Sequence, residues 1–422
     1  MIFVNGRVEH KPSDDVIDEI QASIYTTLKK PWLDSECVIA ALEGLLLRIV
    51  NGDFNKELRQ FIQTEKSFDT EVEKLRYILE NNKISDKYNI ELAQWKEEIE
   101  STGRRKVVPI GVLLHIAAGN MDVLPIFSVI EGLLAGNINI LKLPKADQGL
   151  TVYLAQKLID LEPSLAEYIY IFDTPSYDID TIEKLMNLAN GVAIWGGEEA
   201  VKALREKAPV NVKIIEWGHK LSFCYIADLA IPDSVLKQLA YHLLRSNQLL
   251  CSSYQVIYLN TRDYNVVKGF GMRFAKILEE TEGDFPIEKA IQGKETIELY
   301  TKELEQMVLP SKEEVVYRNR RTSVICKRDS MLELSLLYGN VLVKPLPKEK
   351  IIETLYSNRG YLQTVGVYPK NEHTINLFLR VGVTHIQGLK DASVYEQEGA
   401  HDGVFPLQQY SRIVEIGGED EF

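Results

Sequence analysis

Cysteine is scarce in this chain: Cys37, Cys224, Cys251 and Cys326 are widely spaced, with no CxxC pair and no Cys/His cluster. A disulfide framework and a structural zinc site are therefore excluded as organising elements, and a reducing, cytoplasmic setting is expected. Long apolar runs are missing too. The most apolar stretch, Val123 to Gly136, carries Glu131 and falls short of the roughly 20 residues that a membrane span needs. The opening MIFVNGRVEHKPSDD lacks the apolar core and small-residue cleavage site of a signal peptide, so no export is expected. Basic residues are outnumbered, 48 Lys and Arg against 61 Asp and Glu, for a net charge of −13. Nucleic acid and anionic membrane surfaces want basic patches, so neither is an expected partner, and an anionic ligand must be met by local Lys or Arg. The familiar catalytic signatures are absent as well: no Walker A loop, GxSxG, HExxH or complete GxGxxG occurs, and GFGMRF has only two of three glycines inside a helix-like stretch.

What is present is an ordinary globular composition, 45% hydrophobic and 26% charged over 422 residues, enough for two or three lobes of roughly 100 to 200 residues each. From residue 15 to about 105 apolar positions recur three and four apart, as in VIDEIQASIYTTL and CVIAALEGLLLRIV, which predicts a helical layer. From Val107 the character changes. VVPIGVLLHIA reads as a strand, LPIFSVIEGLLAG as a helix and INILKLP as a strand, and the alternation continues through YIYIF, VAIWG and NVKIIEW. Continuous apolar strands separated by amphipathic helices predict a parallel sheet covered on both faces, a doubly wound nucleotide-type domain over residues 105–220. A second α/β set follows, with strands LSFCYIAD, QVIYL, EVVYR, TSVICK, NVLVKPL, LQTVGVY and THIQG and helices near 262–280, 288–306, 349–357 and 372–381. The tail SRIVEIGGED alternates as a last strand, free to pair with another lobe or another subunit.

Three segments stand out. Asn120 lies in the turn after the first strand, and Lys142 and Lys145 follow the second. An Asn there is ordinarily a turn former or N-cap; in a functional site its amide would face a developing oxyanion. Glu216 near the end of IIEWGHKLSF is ordinarily exposed or salt-bridged, and in a cleft it would serve as a general base. Cys251, in RSNQLLCSSYQVIYL, is bracketed by polar residues, whereas Cys224 and Cys326 sit in apolar strands and Cys37 opens an apolar helix. A buried thiol is ordinarily inert, which leaves Cys251 as the better nucleophile candidate.

Taken together, these segments resemble the aldehyde dehydrogenase superfamily, most closely its acyl-CoA reductase branch of the LuxC type, over about residues 100 to 400. GNMDVLPIFSVIEGLLAGNINILKLP is similar to the superfamily's strand, Asn turn, helix and Leu-Lys-Pro strand. The resemblance implies that Asn120 is the oxyanion-hole amide and Lys142 the cofactor-ribose lysine. VAIWGGEEAVKAL resembles the pyrophosphate turn, with Gly196 and Gly197 at the helix start, although Glu198 and Glu199 would repel phosphate if turned toward it. Glu216 in IIEWGHK falls at the general base and Cys251 in NQLLCSS at the nucleophile, with a separation close to the family's. LLYGNVLV departs from the family's Glu-x-Phe-Gly-Pro motif, because Leu336 stands in place of the ribose-binding Glu. Lys145 stands where NAD-preferring members carry an acidic residue, which implies NADPH over NADH.

The implied fold is aldehyde dehydrogenase-like: residues 1–104 as N-terminal helices on the cofactor domain, 105–220 as a Rossmann-type NADP-binding domain, 221–395 as a catalytic α/β domain, and 396–422 returning to the cofactor domain or a subunit interface. The implied activity is NADPH-dependent reduction of an acyl thioester, from acyl-CoA or a carrier, to an aldehyde through an acyl-Cys251 intermediate, without a metal. A homo-oligomer, dimer or tetramer, and an acyl-transferring partner protein are implied as well. Two alternatives remain open from the residues: a CoA-independent aldehyde dehydrogenase and a non-catalytic acyl-carrying subunit. His401 and Asp402, in EGAHDGVF, resemble a His-Asp-Gly segment of the branch, but Asp-Gly is also a common turn pair.

Overall fold

The computed structural model describes residues 1–10, 13–61, 68–117, 123–285, 301, 313–389 and 399–417. The chain forms two compact units, one of residues 1–218 with 397–422 and the other of residues 219–396. The strands of the first unit are β1 (Ile2–Val4), β2 (Arg7–Glu9), β3 (Arg105–Pro109), β4 (Val112–Ile116), β5 (Ile138–Lys142), β6 (Ile169–Phe172), β7 (Gly191–Trp195) and β8 (Lys213–Trp217). Those of the second are β9 (Leu221–Ile226), β10 (Tyr254–Leu259), β11 (Glu314–Arg318), β12 (Ser323–Lys327), β13 (Asn340–Pro345), β14 (Leu362–Tyr368) and β15 (His385–Gly388); β16 (Ser411–Glu415) returns to the first unit.

Among the described residues the first unit's main sheet runs β2-β1-β6-β5-β4-β7-β8, with β6 to β8 parallel and β1 and β2 antiparallel at one edge. The β1–β2 hairpin is not part of the sequence expectation. Its signal is the Asn5-Gly6 pair, both residues left-handed at φ 48° and 72°, the geometry a two-residue hairpin turn requires. The run VVPIGVLLHIA, expected as one strand, is two. Pro109 and Gly111 break it, and Gly111 sits at φ 124° with its N–H on the Asn137 side-chain oxygen at 3.0 Å. A Cβ at Gly111 would lie 2.3 Å from Oδ1 of Asn190, the atom that accepts the Val112 N–H, so the kink is tied to glycine. β3 thereby leaves the main sheet and pairs antiparallel with β16, which finds its partner within the same chain.

The N-terminal helices Ser13–Thr27 and Ser35–Asn51 bury Val16, Ile20, Val38, Leu42 and Leu45 in one apolar cluster with Leu113, Leu114 and Ile140 of the sheet. Asp34 caps the second helix by accepting the Glu36 N–H, and Gly52 ends it in the left-handed conformation. Beneath this layer lies a buried charge triad. Lys87 Nζ stands 2.6 Å from Glu91 and 3.0 Å from Glu131. Burial opposes the Lys87 charge most strongly, yet Glu131 and Glu91 together hold the ammonium above its ordinary range. Glu91 also accepts the Leu407 N–H at 3.1 Å, which ties the C-terminal segment to the helices.

The second unit's sheet, among the described residues, runs β11-β12-β13-β10-β9-β14-β15, parallel except for the edge strand β11. Its central strands are buried on both faces. Cys224, Ile226 and Ile257 join an apolar cluster with the helices Asp233–Arg245 and Tyr264–Glu282, while the alternate residues Phe223, Tyr225, Val256 and Tyr258 join another with Phe378. Period-two alternation with both faces apolar is what makes these strands continuous hydrophobic runs in the sequence. GFGMRF lies inside the helix Tyr264–Glu282, so its glycines form no phosphate loop. The expected helix over 288–306 lies outside the described residues except for Thr301.

Candidate active site

In the first unit the strand order reverses at β4, with β5 and β6 on one side and β7 and β8 on the other. Loops leaving the carboxyl ends of β4 and β7 diverge there, and such a switch point is where open α/β sheets hold their ligands. Asn120 falls in the loop after β4, outside the described residues. Lys142 ends β5. It is buried, and its Nζ donates to Ser176 Oγ at 2.9 Å. Burial pushes the Lys142 ammonium down, with the Asp173 carboxylate pulling the other way. Lys145, beyond Pro144, is exposed.

Gly196 and Gly197 follow β7 and lead into the helix Glu198–Lys207. Gly197 is its N-cap, extended at φ −73° and ψ 171°, and with no side chain to accept them the first-turn N–H groups remain open to a ligand. A Cβ at Gly197 would meet nothing within 4 Å, so the turn offers space as well as donors. Glu198 and Glu199 are both exposed in the first turn. A buried lysine at the end of β5 and a glycine-lined, uncapped helix start after β7, on either side of β4, suit a dinucleotide.

Glu216 lies in β8, and Arg205 from the last turn of the same helix forks onto it, with Nη2 2.6 Å from Oε2 and Nε on Oε1. The carboxylate expected as a general base is thus committed to a bidentate ion pair.

A polar relay runs under the switch point. Trp217 Nε1 donates to the Tyr410 hydroxyl at 3.0 Å, Tyr410 bonds Ser128, and Ser128 Oγ lies 2.6 Å from Nδ1 of His115. Nε2 of His115 lies 3.0 Å from Oδ1 of Asn139, whose NH₂ group is donated to the carbonyls of Asn137 and Tyr168. That arrangement places the His115 proton on Nε2 and the Ser128 proton on the His115 side. Trp195 Nε1 donates to Ser128 Oγ at 2.9 Å, so both indoles hang from one hub. Burial pushes His115 down to about 4, opposed in part by its bond to Asn139. Burial does the same to His242, stacked on Tyr254 in the second unit, also to about 4. Each unfolded imidazole takes a proton before its folded counterpart, so the stabilisation is complete above pH 6.5 and is lost as pH falls toward 4. Acidifying from pH 7 to pH 5 is expected to cost about 2 kcal/mol per histidine. Urea midpoints at the two pH values read this directly. His115→Asn or His242→Phe should flatten the dependence by its share, and slopes equal to wild type would refute the assignment.

In the second unit Cys251 is exposed on the loop entering β10. This is the amino end of the strand, so the switch-point rule that locates the first unit's crevice does not find it. The loop is pinned from below. Ser222 Oγ donates to the Cys251 carbonyl at 2.6 Å. Gln248 Nε2 donates to Tyr254 O at 3.0 Å and Ser335 Oγ at 3.1 Å, and its Oε1 accepts the Gly339 N–H at 3.0 Å. Gln255 donates to Gln248 O at 3.0 Å and accepts from Ser335 Oγ at 2.8 Å. Asn247 and Gln248 are left-handed at φ 49° and 58°, as are Leu337 and Tyr338 at 63° and 49°. Tyr338 donates its N–H to Asn247 O at 3.0 Å, so the two strained turns brace each other. Leu336, standing where the resemblance would put a ribose-binding Glu, packs on the apolar cluster around Phe223 instead. No disulfide joins any of the four cysteines. Burial pushes the Cys326 thiol up to about 12, and the thiols of Cys224 and Cys37 are raised by burial as well.

The acyl-CoA reductase (LuxC) family profile matches residues 33–413. The chain belongs to that acyl-CoA reductase family. It is therefore a member of an oxidoreductase family, and the family chemistry implies a nicotinamide cofactor. The chain is 26% identical over 344 residues to the long-chain acyl-protein thioester reductase of Photorhabdus luminescens, covering 79% of this chain and 68% of that one. It is 24% identical over 318 residues to the Vibrio harveyi protein of the same description, covering 73% and 65%. It thus spans about two thirds of the length of these reductases. The fold is that of aldehyde dehydrogenases: the Bartonella henselae aldehyde dehydrogenase superimposes with a TM-score of 0.71 over 98% of both chains at 12% identity. Aldehyde dehydrogenase 21 of Physcomitrella patens superimposes at 0.69 over 96% of this chain and 90% of that one, at 15% identity. No helix among the described residues is long and apolar enough to cross a membrane.

In this acyl-CoA reductase family member His401 stands outside the residues expected at the site, yet the fold brings it to the ends of β7 and β8. The residue heads a turn in which Asp402 and Gly403 are left-handed at φ 51° and 85°, and its ring lies 5.4 Å from that of Trp195 and 5.0 Å from that of Trp217. The Asp-Gly pair signalled the turn. Nothing local signalled that it would land on two tryptophans more than 180 residues earlier in the chain.

Proposed function

We propose that this chain reduces an acyl thioester to an aldehyde with NADPH, by way of an acyl group carried on Cys251. One observation carries the reading: of four thiols, three are raised by burial, and Cys251 alone is exposed, on a loop braced by Gln248, Gln255 and Ser222. The Cys251 thiolate attacks the acyl carbonyl carbon. A new S–C bond forms and the donor's C–S bond breaks, its electron pair leaving with the donor thiolate. The backbone N–H of Cys251 and the amide of Asn120 are assigned to the oxyanion. When bound, the cofactor supplies a hydride to the carbonyl carbon of the acyl-enzyme. The resulting thiohemiacetal oxyanion on Cys251 then re-forms its C=O bond as the C–S bond breaks, which releases the aldehyde and regenerates the thiolate.

Lys142, Gly196 and Gly197 are assigned to hold the cofactor, and Lys145 to favour a 2′-phosphate. The Arg205 fork on Glu216 supports this reading over a CoA-independent dehydrogenase. A carboxylate committed to an arginine is poorly placed to activate water, and hydrolysis of the acyl-enzyme is the step that such a dehydrogenase needs. The test is NADPH and NADH oxidation with short- to long-chain acyl-CoAs. NADPH is expected to be preferred by about tenfold or more, the worth of one charge-assisted contact, and Lys145→Glu is expected to erase the preference. Reduction of NAD(P)⁺ by aldehydes with free carboxylate as product, and no thioester-dependent oxidation of NADPH, would overturn the proposal.

A further inference from the structure

The segment LLYGNVLV enters the second unit's sheet at the amino end of β13, beside the loop that carries Cys251 at the amino end of the neighbouring strand β10. Ser335, directly before it, is buried and has the whole hydrogen-bonding capacity of its hydroxyl in use. Its Oγ donates to Gln255 Oε1 at 2.8 Å, and accepts from Gln248 Nε2 at 3.1 Å and from the Leu337 N–H at 3.1 Å. Both glutamines are buried too, and Gln255 Nε2 closes the circuit on the Gln248 carbonyl at 3.0 Å. Gln248 lies three residues before Cys251 and holds a left-handed φ of 58°, next to Asn247 at 49°. Such a backbone persists only where its surroundings over-determine it. Here the side-chain amide of Gln248 does so, through Ser335, the Tyr254 carbonyl and the Gly339 N–H.

The chain that brings Ser335 here is anchored at the far end of the sheet. It leaves the carboxyl end of β12 and crosses to the amino end of β13, its parallel neighbour. Near its start it is held by Lys344, fully buried in β13, which donates to Asp329 at 2.7 Å, to the Met331 carbonyl at 2.8 Å and to Glu333. Leu332 and Leu336 then pack into the apolar cluster around Phe223. Ser335 thus sits on a strap fixed on both sides of it, as a residue must be if it is to impose a geometry rather than follow one. We infer that Ser335 is a positioning residue for the nucleophile: by fixing Gln248 and Gln255 it sets the backbone of residues 247–251, and with it the direction of the Cys251 N–H assigned to the oxyanion. The inference rests on the proposed acyl transfer to Cys251, and it gives the entry to LLYGNVLV a role at the nucleophile.

The test separates two reactions of the same thiol. Iodoacetamide needs only an accessible thiolate, whereas an acyl-CoA also needs its carbonyl oxygen received by the Cys251 N–H. Both reactions are followed on the full-length protein by intact mass, with the modified residue located by peptide mapping. Ser335→Ala is expected to slow acylation by acyl-CoA roughly 10- to 100-fold, in the maximal rate rather than in the concentration for half-saturation. Alkylation of Cys251 should stay within about twofold of wild type. Gln248→Met should show the same split. The double variant should lose less than the product of the two single losses, because one residue acts through the other. Acylation unchanged in Ser335→Ala, acylation and alkylation slowed alike, or single losses that multiply in the double variant would each overturn the inference while leaving the reductase reading standing. Wild-type protein that takes no acyl group on Cys251 would overturn both.

Discussion

Cys251→Ala is expected to abolish thioester reduction, lowering turnover roughly 10³-fold or more, and to leave the unfolding midpoint unchanged. The two halves of this expectation have separate physical causes. Activity is lost because no other thiol is placed to attack: Cys224 and Cys326 are buried in strands β9 and β12, and Cys37 is raised by burial beside Asp34 and Glu162. Stability is kept because the Cys251 side chain is exposed, and the bonds that hold its loop are made by its own carbonyl and by Gln248, Gln255 and Ser222. Intact mass after mixing with acyl-CoA should show one acyl group on wild type and none on the variant. Cys224→Ala should behave in the opposite way, keeping the adduct while losing stability by about 1 to 2 kcal/mol for the vacated core volume. An adduct that persists in Cys251→Ala would end the nucleophile assignment.

The second large effect is structural. Lys87→Ala leaves Glu91 and Glu131 facing each other in the interior with no cation, and is expected to destabilise the first unit by about 3 to 5 kcal/mol. Replacing the whole triad with methionines should restore most of that loss, because buried ion clusters owe much of their apparent value to the cost of stranding one partner. Urea unfolding of the single and triple variants distinguishes the cases. A single variant that loses less than about 1 kcal/mol would mean that the two carboxylates find other relief. Since Glu91 also holds the Leu407 N–H, the triple variant should loosen the segment that carries His401, which amide exchange at Leu407 would report.

Much of the fold was legible because its signals are local. The parallel strands of both sheets announce themselves as apolar runs, and the helices as three- and four-residue periodicity, since burial on two faces or on one stripe leaves a direct imprint on residue order. What escaped depended on conformations of single residues. The β1–β2 hairpin rests on Asn5-Gly6, and the separation of β3 from β4 on Pro109 and on Gly111, whose missing Cβ makes room for Asn190. A reader tracking hydrophobic rhythm passes over both, because the rhythm itself does not change there.

The candidate site divides in the same way. Cys251, with polar residues on both sides and an apolar strand following, could be singled out from the sequence, as could Lys142 and the Gly196-Gly197 turn at strand ends. Glu216 was visible only as a carboxylate near a strand end. Its commitment to Arg205 needed the helix Glu198–Lys207 to fold back along β8. The cluster of Trp195, Trp217 and His401 needed more, since a C-terminal turn must come to rest on two strand ends far earlier in the chain. Composition and periodicity determined the class of fold and the acidic background against which cations must be concentrated, and the polar flanks of Cys251 marked it as the candidate thiol. Tertiary structure decided which charges are already spent on each other and which rings stand together, because pairing across long stretches of chain is set by the packing of whole elements and leaves no mark on neighbouring residues.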